Sequence, residues 1–149
     1  MSEALSYDLH KLTARLDRAA DELLRREARV SYARFLALFA VRETGGSQRE
    51  LARWMGLTEP STSRMVGVLA ADGLLTVTRV PGAGNRRILG LTDEGERLVD
   101  RCGRLLEDRF AELVRRSDVP FDAYQRYTRQ LLAQLDRGQS AAGESSEAA

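Results

Sequence analysis

The sequence has little of the chemistry that metal sites, disulfides and membrane anchors require. It contains one cysteine, Cys102, and one histidine, His10, so neither an intrachain disulfide nor a Cys/His zinc site can form. No stretch approaches ~18 consecutive apolar residues, and the N-terminus lacks a basic segment followed by a long apolar run. These absences predict a cytoplasmic protein with no membrane association, no metal and no cofactor.

Catalytic motifs are missing as well. The sequence contains no nucleophile elbow, no phosphate-binding loop and no pair of carboxylates in a readable site. We therefore predict that the protein is not an enzyme.

The charge is nearly balanced overall but unevenly distributed. The 149 residues carry a net charge of +1, and 43% of them are hydrophobic, which fits one folded domain. Residues 47–91 contain six arginines and three acidic residues, whereas the rest of the chain has 17 basic and 19 acidic residues. This local excess of +3 is typical of a nucleic-acid-binding segment.

Helical periodicity marks the N-terminal part of the chain. Apolar residues recur in steps of three and four from Leu5 to Leu23, which predicts a helix that ends at about Glu27. The next segment, from Ser31 to Arg42, is apolar on most faces and predicts a central core helix.

Two further helices are predicted at the C-terminal end. A long helix begins at Thr92 with acidic residues in its first turn, which the helix dipole favours. The sequence Asp118–Val119–Pro120 interrupts it, and a last helix begins at Phe121. The small, polar residues 138–149 predict a disordered tail.

Residues 48–69 have the spacing of a helix-turn-helix. Ser47 and Glu50 match a capping box, and Gly56 occupies the turn, where a positive φ is needed. The second helix has Pro60 in its first turn and ends near Asp72–Gly73. Its spacing directs Thr62, Met65, Val66 and Leu69 inward, and Pro60, Ser61, Ser63, Arg64 and Gly67 outward.

The outward face of this second helix is small and polar. Ser61 and Ser63 can reach phosphates or base edges, and Arg64 can bind guanine O6 and N7 bidentately in a major groove. The alternative interpretation is an exposed helix face with a solvated arginine.

A β-hairpin is predicted directly after the helix-turn-helix. Residues 74–80 are rich in β-branched residues and partly alternate, residues 81–85 have turn chemistry, and a strand-like pattern returns in residues 86–91. This order is a winged arrangement, in which Arg86 and Arg87, with Asn85 beside them, can enter a minor groove. The alternative is a solvent-exposed hairpin whose charges keep an edge strand soluble.

The order of elements and two stretches of sequence resemble the MarR family of bacterial transcriptional regulators. The stretches are RELARWMGLTEPSTSRMVGVLAADGLLTVTRV and RRILGLTDEG, and the likeness extends from the first helix to about Arg137. The resemblance implies a mainly α winged helix-turn-helix with about six helices, an intertwined homodimer, and a palindromic operator in double-stranded DNA. We expect the following residues to contact DNA: Ser47, Thr58, Pro60, Ser61, Ser63, Arg64, Asn85, Arg86 and Arg87.

The wing departs from the family pattern. Family wings commonly carry Asp-x-Arg eight and six residues before the Leu of the Leu-Thr pair, and these positions are Ala83 and Asn85 here. Either the wing is shortened and Arg86 or Arg87 takes over, or the contact with the minor groove is weaker.

The apolar stripes at the two ends of the chain predict dimerisation. A winged module does not need both stripes for its own core, so a partner subunit would bury them. The predicted dimerisation residues are Leu5, Leu9, Leu12, Leu16, Phe121, Tyr124, Leu131 and Leu135. Two-fold symmetry predicts half-sites about 34 Å apart. The alternative is that the two helices pack on one another within one chain.

Family members usually respond to small aromatic or phenolic ligands, or to oxidants. Tyr32 and Phe35, with Arg15 or His10, are candidates for such an effector pocket, although aromatic residues at helical spacing are more often core. Cys102 is interpreted as a buried, inert thiol, and Trp54 as a packing residue or simply a fluorophore.

The sequence therefore predicts a DNA-binding transcriptional repressor that an effector releases. Its predicted segments are residues 1–43 for dimerisation and core, 44–91 for DNA binding, 92–137 for the connecting and C-terminal dimerisation helices, and 138–149 for the tail. The alternative function is a winged-helix module that docks an acidic protein partner.

Overall fold

The computed structural model describes residues 4–84 and 86–147, with side chains described up to residue 137. The described residues form six helices and one two-stranded antiparallel sheet. The elements are α1 (Ala4–Ala28), α2 (Tyr32–Thr44), α3 (Gln48–Met55), α4 (Glu59–Ala71), β1 (Leu75–Arg79), β2 (Arg87–Leu91), α5 (Asp93–Arg116) and α6 (Phe121–Glu147). This order confirms the predicted mainly α winged helix-turn-helix. Within the described part of the chain, no helix has the length and apolar character needed to cross a membrane.

The chain divides into two compact units, Met1–Glu107 and Asp108–Ala149. The first unit contains α1 to α4, both strands and the beginning of α5. The second contains the remainder of α5 and α6.

Local interactions set the ends of α3 and α4 where the sequence predicts them. The Ser47 hydroxyl accepts from the Glu50 amide at 3.3 Å, and the Glu50 carboxylate accepts from the Ser47 amide at 2.6 Å, which completes the capping box. Gly56 and Gly73 have φ values of 64° and 74°, a conformation that costs glycine little. Thr58 caps α4.

The core of the first unit is built around α2, as its apolar composition predicts. Five of the thirteen residues of α2 are buried, and fully buried side chains from α1, α3, α4 and α5 join them. The largest fully buried side chains, including Leu38 of α2 itself, are Leu24, Leu38, Leu51, Leu69, Val99, Thr62 and Cys102. Each leucine buried in this way contributes about 1.5–3 kcal/mol. Trp54 differs from its prediction as a packing residue, because it projects from α3 with 47% of its surface exposed.

Polar contacts attach α2 to its helical neighbours in the first unit. The Asp21 carboxylate of α1 accepts from the Tyr32 amide at 2.9 Å, at the beginning of α2. At the other end of α2, the Arg42 guanidinium donates to the Asp100 carboxylate of α5 at 2.8 Å.

The base of the wing pairs with the segment before α3. Leu89 of β2 donates its amide to the Gly46 carbonyl at 3.2 Å, and Ser47 forms an isolated bridge with Ile88. The sequence patterns did not predict this contact, because it joins residues about forty positions apart. The wing and the beginning of α3 are consequently held together.

The exit from α4 is locked onto the beginning of α5. The Thr92 hydroxyl donates to the Gly73 carbonyl at 2.6 Å, and the Thr92 amide donates to the Leu74 carbonyl at 3.1 Å. The Gly95 amide in turn donates to the Thr92 hydroxyl at 3.0 Å.

The second unit consists of the C-terminal part of α5 and α6, which a short turn joins. Asp118 ends α5 with a φ of 52°, and the Phe110 and Tyr124 rings lie 6.4 Å apart. α6 extends beyond Arg137 to Glu147, which differs from the disordered tail predicted from residue 138.

Candidate nucleic-acid interface

The exposed face of α4 is close to the predicted one. Thr62, Val66 and Leu69 are buried, whereas Arg64 and Pro60 are exposed. Gly67 is exposed, as predicted, whereas Ser61 and Ser63 of the outward face are half-buried to the same degree as Met65 of the inward face. Among the residues that the structure describes, none forms a hydrogen bond or ion pair with the Arg64 guanidinium. Its five donors are therefore available to an external partner.

Three of the four hydroxyl groups predicted to contact DNA, those of Ser47, Thr58 and Ser61, are engaged at helix ends. The Thr58 hydroxyl accepts from the Ser61 amide at 3.3 Å and donates to the Ser61 hydroxyl at 3.0 Å. The Ser47 hydroxyl belongs to the capping box of α3. These groups position the beginnings of α3 and α4, and they have less freedom to reach a ligand than Arg64 has.

An ion pair at the beginning of α4 was not among the predicted site residues. Glu59 is the first residue of α4, and its Oε1 lies 3.4 Å from Nε of Arg49 in α3. An acid in the first turn of a helix is ordinarily explained by the helix dipole, so the sequence alone does not single out Glu59. Only the fold brings its carboxylate to Arg49.

The wing concentrates three arginines at its outer end. Arg79 and Arg87 are direct partners across the hairpin, so their side chains leave the same face of the sheet, and Arg86 is exposed beside them. Asn85, also predicted to contact DNA, lies outside the described residues. Arg79 was not among the predicted DNA-binding residues, because its position opposite Arg87 depends on the hairpin register. Counting residues outward from the turn would have indicated that register.

The wing arginines and the beginning of α3 form one electrostatic region. The Ser47 amide holds the pKa of the Glu50 carboxyl below its ordinary value, and the positive charges of Arg86 and Arg53 lower it further. The charge of Arg86 in the wing therefore also acts on Glu50 at the beginning of α3.

The four predicted effector residues have different environments. Phe35 is only 6% exposed and stacks on Tyr32 with 6.2 Å between ring centroids, so it belongs to the core. Tyr32 is half-buried, and burial raises the pKa of its hydroxyl, with a further contribution from Asp17. His10 and Arg15 are exposed on α1. Because α1 rises 1.5 Å per residue, His10 lies about 16 Å along the helix from the residue that contacts Tyr32, Asp21.

The predicted dimerisation residues present apolar surface in each unit separately. Those more than about two-fifths exposed are Leu5, Leu9, Leu131 and Leu135, and Phe121 is close to that value. Leu12, Leu16 and Tyr124 are half-buried. Tyr127 and Leu132 of α6, which were not among the predicted dimerisation residues, are also exposed.

Known proteins share this architecture. A family model described as MarR family matches residues 30–87. A cysteine-to-serine mutant of MarR from E. coli is similar with a TM-score of 0.75 and 20% identity, over 91% of this chain and 98% of that chain. The same mutant complexed with operator DNA is similar with a TM-score of 0.70 and 21% identity, over 87% of this chain and 94% of that chain. The transcriptional repressor CouR, bound to a 23-mer DNA duplex, is similar with a TM-score of 0.69 and 27% identity, over 85% of this chain and 91% of that chain. No curated protein sequence matches significantly.

Proposed function

We propose that the chain is a winged-helix transcriptional regulator of the MarR family, whose family model matches residues 30–87, and that it represses transcription by binding a palindromic operator as a homodimer. In this proposal α4 enters the major groove, the wing contacts the adjacent minor groove, and a small aromatic or phenolic effector releases the protein. The presence of DNA in two of the similar structures supports the choice of partner.

The observation that carries the proposal is the arginine pair across the wing. Arg79 and Arg87 are directly opposite one another, and like charges in that position destabilise a hairpin. A polyanion between them removes this repulsion and gains two charge-assisted contacts. With Arg86, these residues provide the minor-groove contact that the missing Asp-x-Arg would otherwise make.

The composition of α4 supports direct reading of bases. Arg64 is exposed and unpaired among the described residues, and a guanidinium binds guanine O6 and N7 bidentately. The neighbouring side chains are small, so the helix backbone can approach the bases closely.

The exposed apolar surface of the terminal helices supports the homodimer. Leu131 and Leu135 of α6 are each more than 60% exposed, and Tyr127 lies one turn before Leu131. A second copy of the chain would bury this stripe together with Leu5 and Leu9 of α1. The two copies of α4 would then read half-sites about 34 Å apart.

Tyr32 is the best placed of the four predicted effector residues to contact a ligand. It combines a partly exposed ring with a position at the contact between α1 and α2, where Asp21 accepts from its amide. A ligand bound against this ring would act on the junction between the proposed dimerisation helix and the core helix.

The test measures binding to the DNA upstream of the protein's own gene, by fluorescence anisotropy at several stated salt concentrations. Arg64→Ala should cost about 1–3 kcal/mol and relax base preference, whereas Arg86→Ala should weaken all duplexes alike and reduce the salt slope by about one. Arg104→Ala, which removes an exposed arginine of α5, is the matched control. Equal operator affinity for all variants would contradict the proposal.

A second candidate function is docking of an acidic protein. Trp54 and Leu57 are exposed within the helix-turn-helix, and aromatic residues are enriched at protein interfaces. A protein that binds no duplex above its nonspecific level would favour this candidate.

A further inference from the structure

The beginning of α4 carries an acidic side chain although the proposed partner, DNA, is a polyanion. Glu59 begins α4, and its carboxylate lies 3.4 Å from the Arg49 guanidinium. Both side chains are exposed, by 65% and 72% respectively. In helix-turn-helix proteins, the first residues of the second helix contact base edges. The ion pair therefore lies at the end of α4 that would meet the bases.

The other acidic residues of residues 47–91 have structural positions away from this end. Glu50 closes the capping box of α3. Asp72 follows the last turn of α4, at the opposite end of the helix, and faces Arg34 at 3.7 Å. The Thr58 and Ser61 hydroxyls bond to one another, whereas the Glu59 carboxylate at the beginning of α4 is 65% exposed.

A carboxylate at this position has a definite chemical preference. Phosphate groups repel it, so it weakens binding to every duplex unless a base donates a hydrogen bond to it. In the major groove, the N4 amino group of cytosine is the donor that glutamate accepts from. Guanine N7 and O6 and thymine O4 are acceptors, and they repel the carboxylate.

On the basis of the proposed DNA-binding function, we infer that Glu59 determines specificity by accepting a hydrogen bond from a cytosine N4 amino group in each half-site. Arg49 holds the carboxylate in position across the turn of the helix-turn-helix. The negative charge also lowers affinity for duplexes without that cytosine, so Glu59 contributes discrimination by repulsion as well as by attraction.

A purely structural role for Glu59 makes a different prediction. An acidic residue in the first turn stabilises a helix through the helix dipole. If that is its only role, neutralising Glu59 lowers the melting temperature and leaves the preferred base at every operator position unchanged.

The experiment is selection of bound sequences from a random duplex pool at fixed salt, with the full chain and three variants. The wild-type chain should enrich a sequence in which replacing one C·G pair by T·A lowers affinity about 5- to 150-fold. Glu59→Ala should lose this discrimination and bind unselected duplex more tightly. Glu59→Gln should shift the preference to A·T, because glutamine pairs with adenine N6 and N7. Asp72→Asn, at the other end of α4, should select the wild-type sequence.

Two failures are distinguishable. Suppose that the wild-type chain enriches a sequence and that both Glu59 variants prefer the same base as the wild type at every position. The inference about Glu59 is then overturned, and the DNA-binding proposal stands. If the wild-type chain enriches no sequence, the proposed function itself is overturned, and the role of Glu59 with it.

Discussion

Replacing Gly95 by alanine tests how tightly α5 is fastened to the exit of the helix-turn-helix. A Cβ at Gly95 would overlap the Leu74 carbonyl oxygen and would also approach the Leu91 side chain. The same oxygen accepts a hydrogen bond from the Thr92 amide at 3.1 Å, so moving it away from Gly95 would disturb that bond. Because the overlapped atom belongs to the backbone, no side-chain rotation relieves the contact.

The magnitude follows from two opposing effects. Overpacking of this kind costs about 1–3 kcal/mol, and a shift of α5 that relieves it weakens the Thr92 hydrogen bonds, each worth about 0.5–1.5 kcal/mol. Alanine is favoured over glycine within a helix by about 0.8–1.0 kcal/mol. The overlap outweighs this gain, so we expect Gly95→Ala to lower the free energy of unfolding by about 2–4 kcal/mol.

Gly103 provides a control in the same helix. A Cβ at Gly103 meets nothing within 4 Å, so Gly103→Ala should raise the free energy of unfolding by about 0.5–1 kcal/mol. Urea unfolding followed by the fluorescence of the single tryptophan, Trp54, measures both variants. Protein concentration is held fixed, because dimerisation would make the apparent stability depend on it. A Gly95→Ala variant as stable as the wild type would refute the reasoning.

Three further predictions concern the wing, the α1–α2 contact and the buried thiol. Arg79→Thr should raise the free energy of unfolding by about 0.2–1 kcal/mol, since it removes a like-charge pair, while it weakens DNA binding measured by anisotropy; unchanged DNA affinity would contradict the role of the wing. The Arg25 side chain and the Tyr32 amide hold the pKa of Asp21 below its ordinary value, so its stabilising effect is present above about pH 4 and is lost as the pH falls through the folded-state pKa. The urea midpoint should therefore decrease less in Asp21→Asn than in the wild type when the pH is lowered below about 4. The same pH dependence in both proteins would argue against this contact. Cys102 is fully buried and burial raises its pKa, so a thiol reagent should label it only as fast as the protein unfolds, and rapid labelling of the native protein would contradict this.

Features that depend on neighbouring residues were predictable from the sequence. The capping box at Ser47, the glycine turn at Gly56 and the end of α4 at Gly73 each rest on a few adjacent residues, and all three are confirmed. The inward face of α4 follows from helical spacing alone, and the burial of Thr62 confirms it although threonine is polar. Its hydroxyl is satisfied by the Thr58 carbonyl at 3.0 Å.

Features that depend on residues distant in the chain were not predictable in the same way. The pairing of Arg79 with Arg87 requires the exact register of the hairpin, and the contact of Glu59 with Arg49 requires the packing of α3 on α4. Trp54 is large and apolar, which favours burial, yet its position on α3 turns it away from the core. The contacts predicted for individual DNA-binding, effector and dimerisation residues stay predictions.

The wing is fixed at its base and free at its tip, and this division affects how such a protein can change over time. At the base, Gly46 and Ser47 pair with β2, and Leu75 and Leu89 are buried in the core. The tip residues Pro81–Gly84 are exposed and do not contribute to that core. Substitutions in the tip therefore alter what the wing touches at little expense to folding. A lineage of such proteins can acquire a new target site there while the frame that holds the wing stays intact.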